Sequence, residues 1–149
     1  MSENMPTYYY PQLTPAQVQL AFDYVLAVDA DDTATVDQLT VDLLPHAGLL
    51  VAIAQELVFP VTALGDDIED VCADSFALNE LGVVFLMAIR TWASDCPASA
   101  APAIARCIAH FVCQVFVTDP QEGHRALEVI RDGRVEQARA AHSAVGEHR

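Results

Sequence analysis

The sequence contains no lysine, and its first 89 residues contain no arginine either. All 7 basic side chains are arginines within residues 90–149, whereas the 21 acidic side chains occur throughout the chain, and the net charge is −14. Nucleic acids and anionic membranes bind proteins mainly through lysine and arginine. The composition therefore argues against nucleic-acid and membrane ligands, and it favours a basic protein partner.

The sequence also lacks a secretory signal and a long uninterrupted apolar run. The apolar run from Leu43 is broken by Pro45 and His46, and the run from Leu81 reaches Arg90. Because a membrane span needs about 20 consecutive apolar residues, we expect no span and a cytoplasmic location. The cysteines are then expected to be reduced thiols that pack as small hydrophobic residues: Cys72, Cys96, Cys107 and Cys113.

Strand-like alternation and internal repeats are absent, and helix signals dominate. Residues 14–17 (Thr-Pro-Ala-Gln) form a capping box, and the apolar residues that follow have helical spacing, which predicts a first helix over residues 15–29. Residues 119–122 (Asp-Pro-Gln-Glu) repeat the start signal for a last helix, which residues 132–133 (Asp-Gly) should end or bend.

The remaining boundaries are predicted from prolines, glycines and apolar spacing. We expect a short second helix stopped by Pro45, a buried third helix ending before Pro60, two helices within 66–93 joined near 79–82, a loop at 95–99, and a helix from about Pro102 to 117. Within 81–93 the predicted core side chains are Val84, Phe85, Leu86, Ile89 and Trp92. The fold class is therefore all-α: a single-domain bundle of about six to eight helices over 14–133, with an extended arm at 1–13 and a weakly anchored helix at 134–149.

The densest acidic cluster is Asp66, Asp67, Glu69 and Asp70, continued by Asp74. On a helix, positions 66, 70 and 74 form one stripe with position 67 beside it. Such a stripe costs helix stability through like-charge repulsion. We therefore consider an acidic docking surface for a basic partner, a divalent-cation site and a solvated helix start.

The string DDIED over residues 66–70 resembles the DDxxD motif of isoprenoid synthases, which bind a diphosphate through Mg²⁺. This resemblance covers five residues and implies a Mg²⁺-dependent enzyme centred on Asp66, Asp67 and Asp70. The family's second metal motif of Asn, Ser/Thr and Glu is missing, and few basic residues are present to hold a diphosphate.

Two sets of side chains in the C-terminal half could bind a metal ion or form ion pairs. Cys107, His110 and Cys113 stand at i, i+3 and i+6, so they fan around a helix and are expected to pack in the core instead of binding zinc. Arginines alternate with acids from residue 122 to 139, and we expect this segment to pair with the acidic half, within the chain or across a homodimer. The histidines expected at the surface are His124, His142 and His148.

These observations predict a small acidic helical protein of the binding or adaptor type that docks a basic surface of a partner protein, as inhibitors, immunity proteins and nucleic-acid mimics do. Its predicted partner-binding residues are Asp66, Asp67, Glu69, Asp70 and Asp74, with no cofactor, no metal and no catalytic residue. Two alternatives stay open. One is a bundle that binds an apolar small molecule through residues 43–64 and 81–93, and the other is the Mg²⁺-dependent enzyme.

Overall fold

The computed structural model describes residues 13–46, 48–62, 73–95, 97–115 and 117–146, and within these ranges the chain forms six α-helices and no strand. The all-α prediction is confirmed. The helices are α1 Pro15–Asp29, α2 Thr33–Leu43, α3 Leu49–Thr62, α4 Ala73–Asp95, α5 Pro97–Val115 and α6 Gly123–Gly146. Short 3₁₀ turns at Leu44–His46 and Pro120–Glu122 precede α3 and α6.

The first helix is the centre of the bundle. Its start is the predicted capping box, in which Thr14 Oγ1 accepts a hydrogen bond from the Gln17 N–H at 3.1 Å and Gln17 Oε1 accepts one from the Thr14 N–H at 3.0 Å. Helix α1 contacts α2, α3, α5 and α6, and 8 of its 15 residues are buried. A helix apolar on several sides belongs inside a bundle.

The hydrophobic core joins α1 to α3 and α5. The predicted burial of α3 is confirmed for its large apolar residues Leu49, Leu50, Ile53, Leu57 and Val58. Each large side chain buried in this way stabilises the fold by about 1.5–3 kcal/mol. The other helices that reach the core contribute fewer buried residues, such as Leu86 and Ile89 of α4 and Leu127 of α6.

The predicted end of α3 before Pro60 is wrong, because the helix continues to Thr62. A proline inside a helix has no N–H to donate to the carbonyl four residues earlier. That carbonyl belongs to Glu56, and it accepts a hydrogen bond from the guanidinium of Arg134 in α6 at 2.9 Å. The bond from α6 replaces the missing helical bond, so α3 can pass the proline.

Two boundaries around α4 also differ from the prediction. Helix α4 is one helix of 23 residues, and it passes through 79–82 with Gly82 buried. Helix α5 begins at Pro97, so most of the loop predicted at 95–99 is helical, and Pro102 lies inside α5. A proline suits the first turn of a helix, and Pro97 takes the first-turn position that was predicted for Pro102.

Helix α6 begins after the predicted capping residue and continues through residues 132–133, where an end or a bend was predicted. Asp119 Oδ1 accepts a hydrogen bond from the Gln121 N–H at 3.0 Å, which caps the 3₁₀ turn that precedes the helix. The helix does not end at Gly133 but runs to Gly146, and Val135 and Ala138 pack against the core. Packing beyond the glycine offsets its cost of about 1 kcal/mol in a helix. Residues 1–12 of the predicted arm lie outside the described residues.

Candidate functional site

Most of the predicted acidic docking cluster lies outside the described residues, namely Asp66, Asp67, Glu69 and Asp70. The structure describes only its last member, Asp74, which is exposed in the first turn of α4. The proposed carboxylate stripe and its possible Mg²⁺ site therefore stay predictions.

Three acids from the N-terminal half pair with bases from the C-terminal half inside one chain. The Arg131 guanidinium contacts Asp23 at 3.1 Å, His124 Nδ1 contacts Asp29 at 2.9 Å, and Arg106 contacts Asp31 at 3.1 Å. The second ring nitrogen of His124 lies 3.3 Å from Glu128. The intrachain form of the predicted charge pairing is thus present, and His124, predicted as a plain surface residue, sits between two carboxylates.

The cysteine and histidine trio of α5 does not form a site. His110 is exposed, which corrects its predicted place in the core, while Cys107 and Cys113 are half-buried. Burial raises the pKa of the Cys113 thiol, and the nearby Asp29 charge raises it further. A nucleophilic cysteine needs a lowered pKa. Nowhere in the described ranges do three His, Cys, Asp or Glu side chains meet in a geometry that could hold a metal ion.

The apolar segments that suggested a small-molecule site line two spaces of different size. The cleft beside Thr40, Leu43 and Ile104 measures about 10 Å³, which is room for about one water molecule. A wider, open groove of about 410 Å³ lies between α3 and α4, lined by Val51, Gln55, Arg90 and Ser94 among others. The small cleft offers no space for an apolar ligand, and the wider groove is an open depression at the edge of α4.

The outer side of α4 exposes large hydrophobic side chains, some of which were predicted to lie in the core. Six of the nine exposed large hydrophobic side chains in the described ranges belong to this helix, and Met87 (63% exposed) and Phe76 (57%) are the most exposed of them. Val84 and Trp92, predicted for the core, are exposed by 53% and 41%. The full set on α4 is Phe76, Leu81, Val83, Val84, Met87 and Trp92.

The inner face of α4 holds the helix in place. Leu86 and Ile89 are buried, the helix contacts α3 and α5, and the rings of Phe85 and Phe111 stack with their centroids 4.7 Å apart. The apolar outer face is therefore additional to the surface that the core needs. We define the α4 outer face by its exposed residues along one side: Phe76, Glu80, Val83, Val84, Met87, Arg90 and Ser94.

The α4 outer face carries one charge of each sign in its central part. Glu80 and Arg90 are both exposed, and neither forms an ion pair with any other side chain in the described ranges. At 1.5 Å per residue they stand about 15 Å apart along the helix axis. Two unpaired opposite charges within an apolar surface can each bind a complementary charge on another molecule.

By length and composition alone, α4 is also the one unbroken helix in the described ranges that could cross a membrane, and only 17% of its most apolar window is buried. A core helix of similar apolarity would be mostly buried. An exposed apolar surface of this kind can bind the apolar surface of another molecule. Glu80 and Arg90 would then pair with opposite charges on that molecule.

No protein-family model, no curated protein and no solved structure matches the chain.

Proposed function

We propose that this chain is a protein-binding protein of the adaptor type, and that the α4 outer face is its binding surface. The observation that carries the proposal is the concentration of exposed large hydrophobic side chains on a helix whose opposite side is already packed. Contiguous apolar patches on soluble proteins mark sites of interaction. Covering such a patch contributes about 25 cal/mol for each Å² of apolar area removed from water.

The two charges on this face favour a protein partner over a lipid bilayer. A charged side chain in the middle of a membrane-spanning helix costs about 2.5–3.5 kcal/mol on insertion scales. Glu80 and Arg90 both lie well inside the 23-residue helix. A protein surface can supply a base to the first and an acid to the second, which a hydrocarbon layer cannot.

A second candidate surface keeps the predicted basic partner. Asp37 and Asp42 of α2 and Asp74 of α4 are exposed and form no ion pair with described side chains, whereas Asp23, Asp29 and Asp31 are already paired within the chain. The unpaired carboxylates support docking of a basic protein. Binding through them should weaken steeply between low and high salt, because exposed charges are screened, and a D37N/D42N/D74N variant should lose that salt dependence.

The proposal is tested by photo-crosslinking in cells that make the chain naturally. A benzophenone amino acid replaces Met87 in one variant and Val129 in the control, because these side chains are exposed to the same degree, 63% and 62%, on different helices. We expect covalent protein adducts from position 87 and few or none from position 129. Equal yields at the two positions, or no adduct at 87, would show that the α4 outer face is not a binding surface.

A further inference from the structure

We infer that the partner covering the α4 outer face is a second copy of this chain, bound with its α4 antiparallel to the first. This inference rests on the proposed function, since it names the occupant of the same surface. Six exposed positions recur at alternating intervals of four and three residues along the helix: Phe76, Glu80, Val83, Met87, Arg90 and Ser94. That spacing is the heptad seam along which two helices pack.

The seam is symmetric about position 85. Phe76 and Ser94 are equally distant from it in opposite directions, as are Glu80 and Arg90, and Val83 and Met87. A two-fold axis through this level of the helix therefore places each residue opposite its counterpart in the other copy. Symmetric dimers require this kind of self-complementary surface.

Charge then selects the antiparallel arrangement. In it, Glu80 of each copy lies opposite Arg90 of the other, so that two ion pairs flank an apolar centre formed by Val83 and Met87. Parallel copies in register would place like charges opposite each other, which is destabilising. Neither charge has an ion partner in the described part of its own chain, and the dimer supplies one to both.

The seam extends along most of α4. From Phe76 to Ser94 it runs about 27 Å at 1.5 Å per residue. Val84, exposed by 53%, lies beside the seam and widens its apolar centre. The inner residues Leu86 and Ile89 remain in the core of each copy, so pairing requires no rearrangement of α4.

The test is a charge exchange read by sedimentation velocity over a concentration series. In E80R, the new arginine of each copy lies opposite Arg90 of the other copy, on both sides of the apolar centre. In R90E, the new glutamate of each copy lies opposite Glu80 of the other copy. We expect each single variant to dimerise at least about tenfold more weakly than the wild type. An equimolar mixture of E80R and R90E should dimerise again, because every pair across that heterodimer is Glu with Arg, and the E80R/R90E double variant should also recover.

The matched control is E122R, which makes the same substitution as E80R at an exposed position of the 3₁₀ turn before α6 and should dimerise like the wild type. Recovery in the mixture shows that both single variants are folded. The inference is overturned if the wild type is monomeric at every concentration, if the single variants dimerise as the wild type does, or if the mixture does not recover. A monomeric wild type whose position 87 still crosslinks to another protein overturns the dimer alone, and one that floats with phosphatidylcholine vesicles assigns the face to a membrane instead.

Discussion

At Gly123, helix α6 packs closely against α5. This glycine is the first residue of α6, it is buried, and a Cβ built there would overlap Sγ of Cys113 in α5. Gly133, in the middle of the same helix, has open space where a Cβ would be. One glycine is therefore required by close packing and the other is not.

This difference predicts opposite effects of the same substitution. G133A should stabilise the protein by about 1 kcal/mol, because alanine is the better helix former. G123A should destabilise it by about 1–3 kcal/mol, because the added methyl group displaces the Cys113 side chain. Urea unfolding of both variants measures the difference.

The G123A/C113A double variant identifies the cause of the G123A effect. Removing the sulfur opens the space, so G123A should cost much less in the C113A background. A destabilisation that persists unchanged without the sulfur would contradict the proposed overlap.

Glu56 of α3 is partly buried in a way that disfavours its ionised form. Burial raises the pKa of Glu56, and the nearby Arg134 charge offsets only part of that rise. A carboxyl with a raised folded-state pKa contributes stability that is fully present below its ordinary pKa of 4.5 and is lost as the pH rises through the raised value. At neutral pH the ionised Glu56 therefore costs folding free energy.

E56Q should consequently increase the free energy of unfolding at neutral pH by up to about 1 kcal/mol. Its Tm should therefore be higher than that of the wild type. The difference between E56Q and the wild type should shrink towards zero as the pH falls below the ordinary glutamate pKa, because the wild-type carboxyl is then protonated as well. Thermal unfolding followed by circular dichroism across this pH range tests the sign. A lower Tm for E56Q at neutral pH would contradict it.

At the scale of the element, a hydrogen bond between α6 and α3 supports the last part of α3. Pro60 leaves the Glu56 carbonyl without a helical donor, and Arg134 supplies the donor from a position 78 residues away. The length of α3 beyond Glu56 is therefore stabilised by α6.

R134M keeps the apolar part of the side chain and removes the donor, so it should destabilise the protein by about 1–2 kcal/mol. In a P60A background the alanine N–H can bond to the Glu56 carbonyl, and R134M should then cost less than half as much. R125M, at an exposed arginine of the same helix, is the control and should have little effect. If R134M lowers the free energy of unfolding equally with and without Pro60, the Arg134 hydrogen bond does not replace the helical bond that the proline removes.

The start of α1 could be predicted from the sequence, but the start of α5 and several helix ends could not. A capping side chain bonds to a backbone group two or three residues away, as Thr14 and Asp119 do, so the information is local. Pro60, Gly82 and Gly133 carry local penalties that distant contacts outweigh, and no local pattern contains those contacts.

The candidate surface was only partly visible in the sequence. Phe76, Val83 and Met87 have the spacing of one helical face, but apolar residues occur almost all around α4. Which side faces solvent is decided by Leu86 and Ile89, which pack against other helices. The sequence therefore indicated an apolar helix without indicating that Val84 and Trp92 would be outside.

At the scale of the whole molecule, the uneven charge distribution is partly neutralised within the fold. Bases of α5 and α6 reach acids at the C-terminal half and end of α1, and the closest to the core is the pair of Arg131 with Asp23, whose side chains are 23% and 35% exposed. Helices α1 and α6 pack along each other, so this pair lies at the main contact between the two ends of the chain.

R131Q should destabilise the protein by about 0.5–1 kcal/mol at low salt. Because salt screens a partly exposed pair, the difference in Tm between R131Q and the wild type should narrow as sodium chloride is added. R125Q, at an arginine with no ion pair to described residues, controls for the change in net charge. A difference independent of salt would mean that Arg131 acts through packing instead of charge.

That the α4 outer face is covered by a second copy can be tested most directly on the unaltered protein, by the oxidation of Met87. It is the one methionine within the described ranges, and its thioether is open to dilute hydrogen peroxide in a single copy. Peptide mass spectrometry should show Met87 sulfoxide forming nearly as fast as in free methionine at low protein concentration and several-fold more slowly at high concentration. Oxidation at the free-methionine rate at every concentration would contradict a paired α4.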